Sequence, residues 1–293
     1  YPAPGQDEYR SEHYRVTVSL GGEAREAFCY RMRSIWHREF AGDWAAQFFP
    51  KDNNWVSFSF AGAVTVVVDP LDVQAIEVEV RPDPPGVSAS VREGKVVVEI
   101  SRPGQYYVMV KAAENPQHDF DHPLFLFANP PETDVPTPDT PGVHYFGPGV
   151  HDIGFQYRVT GGETVYIAGG AMVRGSLYYE GDGVRILGRG ILTDRQLMLE
   201  RVNSALAEKA AGKANAWDLN HDAMYRDKWA TIYGDVDADG ALIEGITIIE
   251  SPFYMVRTHG AGTVFRNLKL MSDLYNNNGI VAGPNHQILD CFF

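Results

Sequence analysis

The stretches Ala241-Leu-Ile-Glu-Gly-Ile-Thr-Ile-Ile249, Thr263-Val-Phe-Arg-Asn-Leu-Lys-Leu-Met271 and His286-Gln-Ile-Leu-Asp-Cys-Phe-Phe293 decide the fold. Each is a β-rich run, a turn residue and a second β-rich run. Two earlier stretches, Thr164-Val-Tyr-Ile-Ala-Gly-Gly-Ala-Met-Val173 and Val184-Arg-Ile-Leu-Gly-Arg-Gly-Ile-Leu192, carry the same phrase. Matching Leu242 to Val264 to Ile288 gives steps of 22 and 24 residues. Self-similarity at that period marks stacked units that bury a core only against their neighbours, here the coils of a β-solenoid. A coiled sheet presents a long grooved face, which suits an extended polymer.

Outward from the repeat, residues 1–129 are expected to be β throughout. Runs at His13–Leu20, Arg25–Arg33, Asn54–Asp69, Ile76–Pro82, Val87–Arg92, Lys95–Ile100 and Tyr106–Val110 are separated by turn signals, and Pro123–Asn129 forms the last. Short strands at such spacing predict a β-sandwich. Residues 130–142 contain five prolines, which favour an extended, semi-rigid linker. The solenoid is expected over 143–293. One insertion, 194–233, interrupts it, and its first part is rich in Ala, Leu, Glu and Lys and reads as helix. Such an excursion either shapes a site at one rim or caps the open edge.

The 293 residues suffice for two cores, and a net charge of −13 opposes a nucleic-acid partner. It also disfavours a polyanionic substrate. No apolar run reaches membrane-spanning length. Cys29 and Cys291 form no disulfide framework and offer no metal-ligand spacing, so neither metal nor cofactor is expected. The opening at Tyr1 rather than at a methionine is expected of a processed, exported product, secreted or periplasmic.

The segments Tyr145-Phe-Gly-Pro-Gly-Val-His-Asp-Ile-Gly154, Gly162-Glu-Thr-Val-Tyr-Ile-Ala-Gly-Gly-Ala-Met-Val-Arg-Gly175 and Ile186-Leu-Gly-Arg-Gly-Ile-Leu192 resemble the polygalacturonase-like glycoside hydrolases, most of all the dextranase and isopullulanase branch. The resemblance implies a β-sandwich before a right-handed parallel β-helix. It also implies inverting hydrolysis of a polysaccharide by aspartates, one acid protonating the leaving oxygen and another carboxylate activating water. In the family pattern one aspartate precedes a glycine in an Asn-x-Asp-Gly turn, and a pair follows one coil later. This chain has Tyr275-Asn-Asn-Asn-Gly-Ile280, so Asn278 stands where the aspartate is expected, and asparagine does not exchange protons near neutral pH. The pair would fall just past Phe293, so the β-helix is expected to be incomplete at its C-terminal end.

Asp273 is a candidate replacement acid, or a residue that solvates a turn. Tyr254, Arg257 and His259 fall one coil before the asparagine-rich turn, and the resemblance implies sugar contacts for them, as for Tyr275, Asn276 and Asn277. The three asparagines could instead form a stacked ladder inside the solenoid. Asp235-Val-Asp-Ala-Asp-Gly240 matches half a calcium loop, but Ile246 occupies the position that needs a bidentate glutamate. A neutral-glucan hydrolase is favoured. A carbohydrate-binding solenoid that has lost its catalytic turn and a polysaccharide lyase are the alternatives.

Overall fold

The computed structural model describes residues 1–5, 7–35, 47–212, 229–273 and 277–293. Contacts divide the chain into two compact units, Tyr1–Asp134 and Val135–Phe293, and the division falls inside the proline-rich stretch.

Strict alternation builds the first unit. Val64–Pro70 buries every second side chain, so one face turns inward and the other meets water. This strand is the centre of an antiparallel sheet in the order Glu23–Ala27, Tyr14–Leu20, Val64–Pro70, Lys95–Ile100, Val87–Arg92. A second sheet runs Tyr30–Arg33, Asp52–Ser59, Leu124–Asn129, Gly104–Ala112, Ala75–Arg81. Val16, Val66, Val68 and Val98 from the first and Val56, Val108, Val110 and Leu126 from the second share one core. Two details differ from expectation. The run Arg25–Arg33 splits into strands of different sheets, because buried Phe28 and Cys29 carry the chain inward between them. The strand Leu124–Asn129 lies inside its sheet and pairs parallel to Asp52–Ser59.

The second unit is a parallel β-helix of about six coils with three faces. The first face stacks Val143–Phe146, Thr164–Ile167, Arg185–Gly188, Leu242–Glu244, Val264–Arg266 and Gln287–Leu289. The second stacks the start of Gly149–Thr160, the start of Ala171–Glu180, Ile191–Thr193, Thr247–Ile249 and Lys269–Met271. The third stacks the ends of Gly149–Thr160 and Ala171–Glu180 with Ala230–Gly234, Tyr254–Thr258 and Ile280–Val281. Every face sends one column inward: Val165, Ile186, Ile243 and Phe265 on the first, Val173, Leu192, Ile248 and Leu270 on the second, and Leu177, Ile232 and Val256 on the third. These like-on-like stacks exclude water and set the register.

The register corrects one sequence match. Leu242 pairs with Val264, which pairs with Gln287, whereas Ile288 pairs with Phe265. Matching by hydrophobicity linked outward Leu242 and Val264 to an inward-column residue. A slip of one exchanges faces, because side chains alternate.

The insertion's helix spans Arg195–Ala210 and packs against the strand Ala171–Glu180, burying Met198 and Val202. It therefore covers a side of the coil rather than its open edge, and accounts for the buried outward column Met172 and Ile191 on the second face. A four-residue helix, His118–Asp121, was not anticipated. Among the described residues, no helix is long and apolar enough to cross a membrane.

Candidate functional site

The outward column of the third face carries aromatic and cationic side chains. Pairing places Arg158 beside Tyr178, Tyr178 beside Tyr233, and Tyr233 beside Arg257, one residue per coil. The Tyr178 and Tyr233 rings stack with centroids 5.9 Å apart. The Arg158 guanidinium lies over Tyr178, 5.0 Å from the ring centre, and also pairs with Glu180. Tyr178 donates its hydroxyl proton to Asp235.

Farther along the face, Arg257 sits over the Tyr254 ring at 4.8 Å, and its Nε donates to His259 Nε2 at 3.2 Å. His259 accepts at Nε2, so its proton is on Nδ1. Its ring also meets Tyr233 at 5.3 Å. Tyr254 is 9% exposed and packs in a small cluster with Ala230 and Phe253. Tyr233, Arg257 and His259 are half-buried, so stems are held while hydroxyl, guanidinium and imidazole edges reach solvent.

Asn278 joins this face from the next coil. The pairing of Val256 with Ile280, extended by two residues, sets Asn278 beside Tyr254, and Met255 N–H donates to the Asn278 carbonyl at 2.8 Å. The Asn278 side chain is exposed, and Asn277 Nδ2 donates to the Ser251 carbonyl at 2.6 Å. An internal asparagine ladder is therefore not what these two residues form, because the neighbouring coil offers Phe253 and Tyr254 at their level. Asp273 is half-buried at the same corner. Tyr275 and Asn276 lie outside the described residues. Thus Tyr254, Arg257, His259 and Asn278 share one face, with Asn277 tied back to the preceding coil.

In the acidic turn 235–240, Asp235 and Asp239 accept backbone N–H groups, and Asp235 also takes the Tyr178 hydroxyl. Asp235 accepts from Val236 N–H and Asp239 from Ala261 N–H, while Asp182 accepts from Asp239 N–H. The turn links coils rather than presenting a calcium-binding mouth.

Sequence reasoning missed Arg158, Tyr178 and Tyr233 in this column. The signal was a polar or aromatic residue at the non-core parity of each coil. The insertion separates Tyr178 from Tyr233 and hides the period.

It also missed the corner at which the insertion leaves the coil. Thr193 and Arg195 both reach the buried Glu250 carboxylate of the next coil, Arg195 at 2.9 Å. Asp194 caps the helix: Leu197 N–H donates to its carboxylate, and Met198 N–H donates to its carbonyl. Its other oxygen, Oδ2, is buried without a hydrogen-bond partner. Burial raises the Asp194 carboxyl from its ordinary 3.8 to about 7, against the lowering effect of the Leu197 N–H. The folded chain then holds this proton more tightly than the unfolded chain. Its stabilising contribution is complete below about pH 4 and lost as pH rises through about 7, a span worth on the order of 4 kcal/mol. Urea midpoints of wild type and Asp194→Asn at pH 5 and pH 8 test this. The fall in stability between the two pH values is expected to be smaller in the variant, and an identical fall refutes the assignment.

No protein-family model matches this sequence, and no curated protein matches it by sequence. Among solved structures, the fold is similar to Dex49A from Penicillium minioluteum, with a TM-score of 0.67 and 18% identity over 96% of this chain. The match covers 62% of that protein, so this chain spans less than two thirds of its length. A Family 28 exopolygalacturonase from Yersinia enterocolitica is more distant, with a TM-score of 0.41 and 11% identity over 79% of this chain and 61% of its own. The Dex49A likeness establishes the architecture: an all-β chain with a two-sheet unit ahead of a parallel β-helix.

Proposed function

We propose that this chain belongs to a glycoside hydrolase that cleaves a polysaccharide along the third face of its β-helix. The observation that carries the reading is the ladder Tyr178, Tyr233 and Arg257, in register across three coils, with His259 bonded to Arg257 and Asn278 of the next coil beside Tyr254. Successive coils lie about 4.8 Å apart, so donors and acceptors recur at a spacing that an extended glycan can follow. Arg257, Tyr233, Tyr254 and His259 would bind the chain, as would Tyr275, Asn276 and Asn277 of the turn. Asp273 is the nearest carboxylate in sequence to protonate the leaving oxygen, and inversion also requires a second carboxylate to take a proton from the attacking water on the opposite face. The net charge of −13 favours a neutral glucan such as dextran or pullulan over polygalacturonate. Such a substrate would be met outside the cytoplasm, by a secreted or periplasmic protein.

One observation favours a second reading, a carbohydrate-binding solenoid. Asn278 is exposed on the face and offers an amide where an exchangeable proton is needed. Reducing-sugar release from dextran, pullulan and polygalacturonate, compared between wild type and Asn278→Asp, separates the two. Under the hydrolase reading, turnover of the neutral glucans rises by roughly 100-fold in the variant, the scale of positioned acid or base catalysis. Retention of the polymer with no turnover in either form puts the binding solenoid first. Neither retention nor turnover removes the site altogether.

A further inference from the structure

The first unit gathers three histidines and two aspartates that the saccharide site does not use. His13 precedes the strand Tyr14–Leu20, and Asp72 follows Val64–Pro70, its antiparallel neighbour. His118 and His122 begin and follow the helix His118–Asp121, and Asp52 opens the strand Asp52–Ser59. Separations of up to about a hundred residues therefore converge on one end of the two sheets.

The hydrogen bonds fix which nitrogens carry protons. Asp52 is 4% exposed and takes His13 Nε2 at 3.1 Å on one oxygen and His122 Nδ1 at 3.0 Å on the other. Asn54 also donates to it at 2.7 Å. A carboxylate only accepts, so both rings donate to Asp52, and His13 Nδ1 and His122 Nε2 become the lone-pair nitrogens. Yet His13 Nδ1 lies 2.8 Å from Asp72 Oδ2. Two acceptors at that distance share a proton, which makes His13 an imidazolium, unless a metal ion replaces the proton and the pair opens to the roughly 3.3 Å between two ligands of a tetrahedral site. The rings of His13 and His122 stack at 3.6 Å, so the cluster cannot hold both as imidazolium without strong repulsion. One ligand atom from each of His13, Asp72 and His122 lies within 4.8 Å of the other two. Beside them, His118 is fully buried, with Nε2 at the Tyr14 hydroxyl and Nδ1 lacking a hydrogen-bond partner. The pocket is rich in acceptors and poor in protons.

We propose that His13, His122 and Asp72 form a binding site for a divalent transition metal, with zinc as the best fit. Two imidazoles and a carboxylate are a zinc ligand set, and water completes a tetrahedron. Asp52 is the positioning residue: it fixes both tautomers from behind, as carboxylates commonly do for metal-bound histidines. The ion joins the start of one strand, the loop after its neighbour and the helix ahead of Leu124–Asn129, and so staples the end of the two-sheet unit.

The test uses the untagged whole chain, freed of metal by chelator and titrated with zinc sulfate by calorimetry, with thermal melts run in parallel. One zinc per chain and a raised melting midpoint are expected, since binding to the folded state alone stabilises it. Asp72→Asn, on a half-exposed side chain whose loss leaves the core untouched, is expected to abolish tight binding. Asp52→Asn is expected to weaken it by roughly 10- to 100-fold with the stoichiometry kept. Cobalt(II) should give the strong visible absorption of a tetrahedral site in wild type and lose it in Asp72→Asn. No stoichiometric site, or one that survives Asp72→Asn and His122→Ala, overturns the proposal. So does a site lost in His286→Ala, an exposed histidine of the β-helix. In any of those cases the cluster is an imidazolium held between Asp52 and Asp72.

Discussion

Arg257→Ala is expected to weaken retention on neutral glucan by roughly 10- to 100-fold, the effect of losing charged hydrogen bonds worth about 1.5–3 kcal/mol. Arg257 is the residue on which the third face converges: it covers Tyr254, bonds His259 and pairs in register with Tyr233. Its loss removes a donor fork and releases the imidazole beside it. Arg257→Lys keeps the charge but not the planar fork, and is expected to recover only part of the binding. Arg266→Ala is the control. That arginine is exposed and one coil on, but it lies on the first face, where it pairs with Glu244 at 2.6 Å. Affinity electrophoresis in gels containing dextran or pullulan reads all three. Equal losses for Arg257→Ala and Arg266→Ala would mean that binding follows overall charge rather than the third face.

Gly188→Ala is expected to cost more than about 3 kcal/mol, enough to leave the β-helix poorly folded. Gly188 closes the first face of its coil with φ +126, a conformation open essentially to glycine. An added Cβ there would drive into the carbonyl oxygen of Ile167 in the coil below. That carbonyl accepts from Arg189 and Gly190 N–H, so the clash also strains the bonds that turn the corner. Gly183→Ala separates the two causes. Gly183 also has positive φ, +71, but nothing lies within 4 Å of the added carbon. Its substitution carries only the backbone cost, about 1 kcal/mol. Circular dichroism melts of both variants give the comparison. Similar losses would show that close coil-to-coil approach is not what fixes this corner.

Much of the architecture was legible because it is written in local periodicity. The doublets around Gly188 and Gly245 announce a corner between two short strands, and their spacing gives the length of a coil. The alternation in Val64–Pro70 and Lys95–Ile100 gives facing sheets. Register was not legible to the residue: Leu242, Val264 and Ile288 are all apolar, yet only burial tells which columns point inward. The helix of the insertion was read from its Ala, Leu, Glu and Lys, but the face it covers depends on where its apolar side chains find a partner.

The sites were less legible. Tyr254, Arg257, His259 and Asn278 were singled out from a resemblance, and the structure sets them on one face because the first three follow one another in a single coil and Asn278 stands beside Tyr254 from the next. Arg158, Tyr178 and Tyr233 stand in that same column and went unnoticed, because the insertion breaks the spacing. In the histidine–aspartate cluster only His118 and His122 are close in sequence; His13, Asp52 and Asp72 lie far from them and from one another.

The sequence by itself therefore determined that this chain winds into a β-helix behind a β-rich unit, because repeated hydrophobic phrases can be buried only by stacking on one another. Only the tertiary structure decided which polar residues meet. His13, Asp52, Asp72 and His122 become neighbours through strand pairing across the first unit, and Tyr178, Tyr233 and Arg257 through pairing between coils. Pairing joins residues far apart in the chain at distances of a few ångströms, and no local pattern records which partners those are.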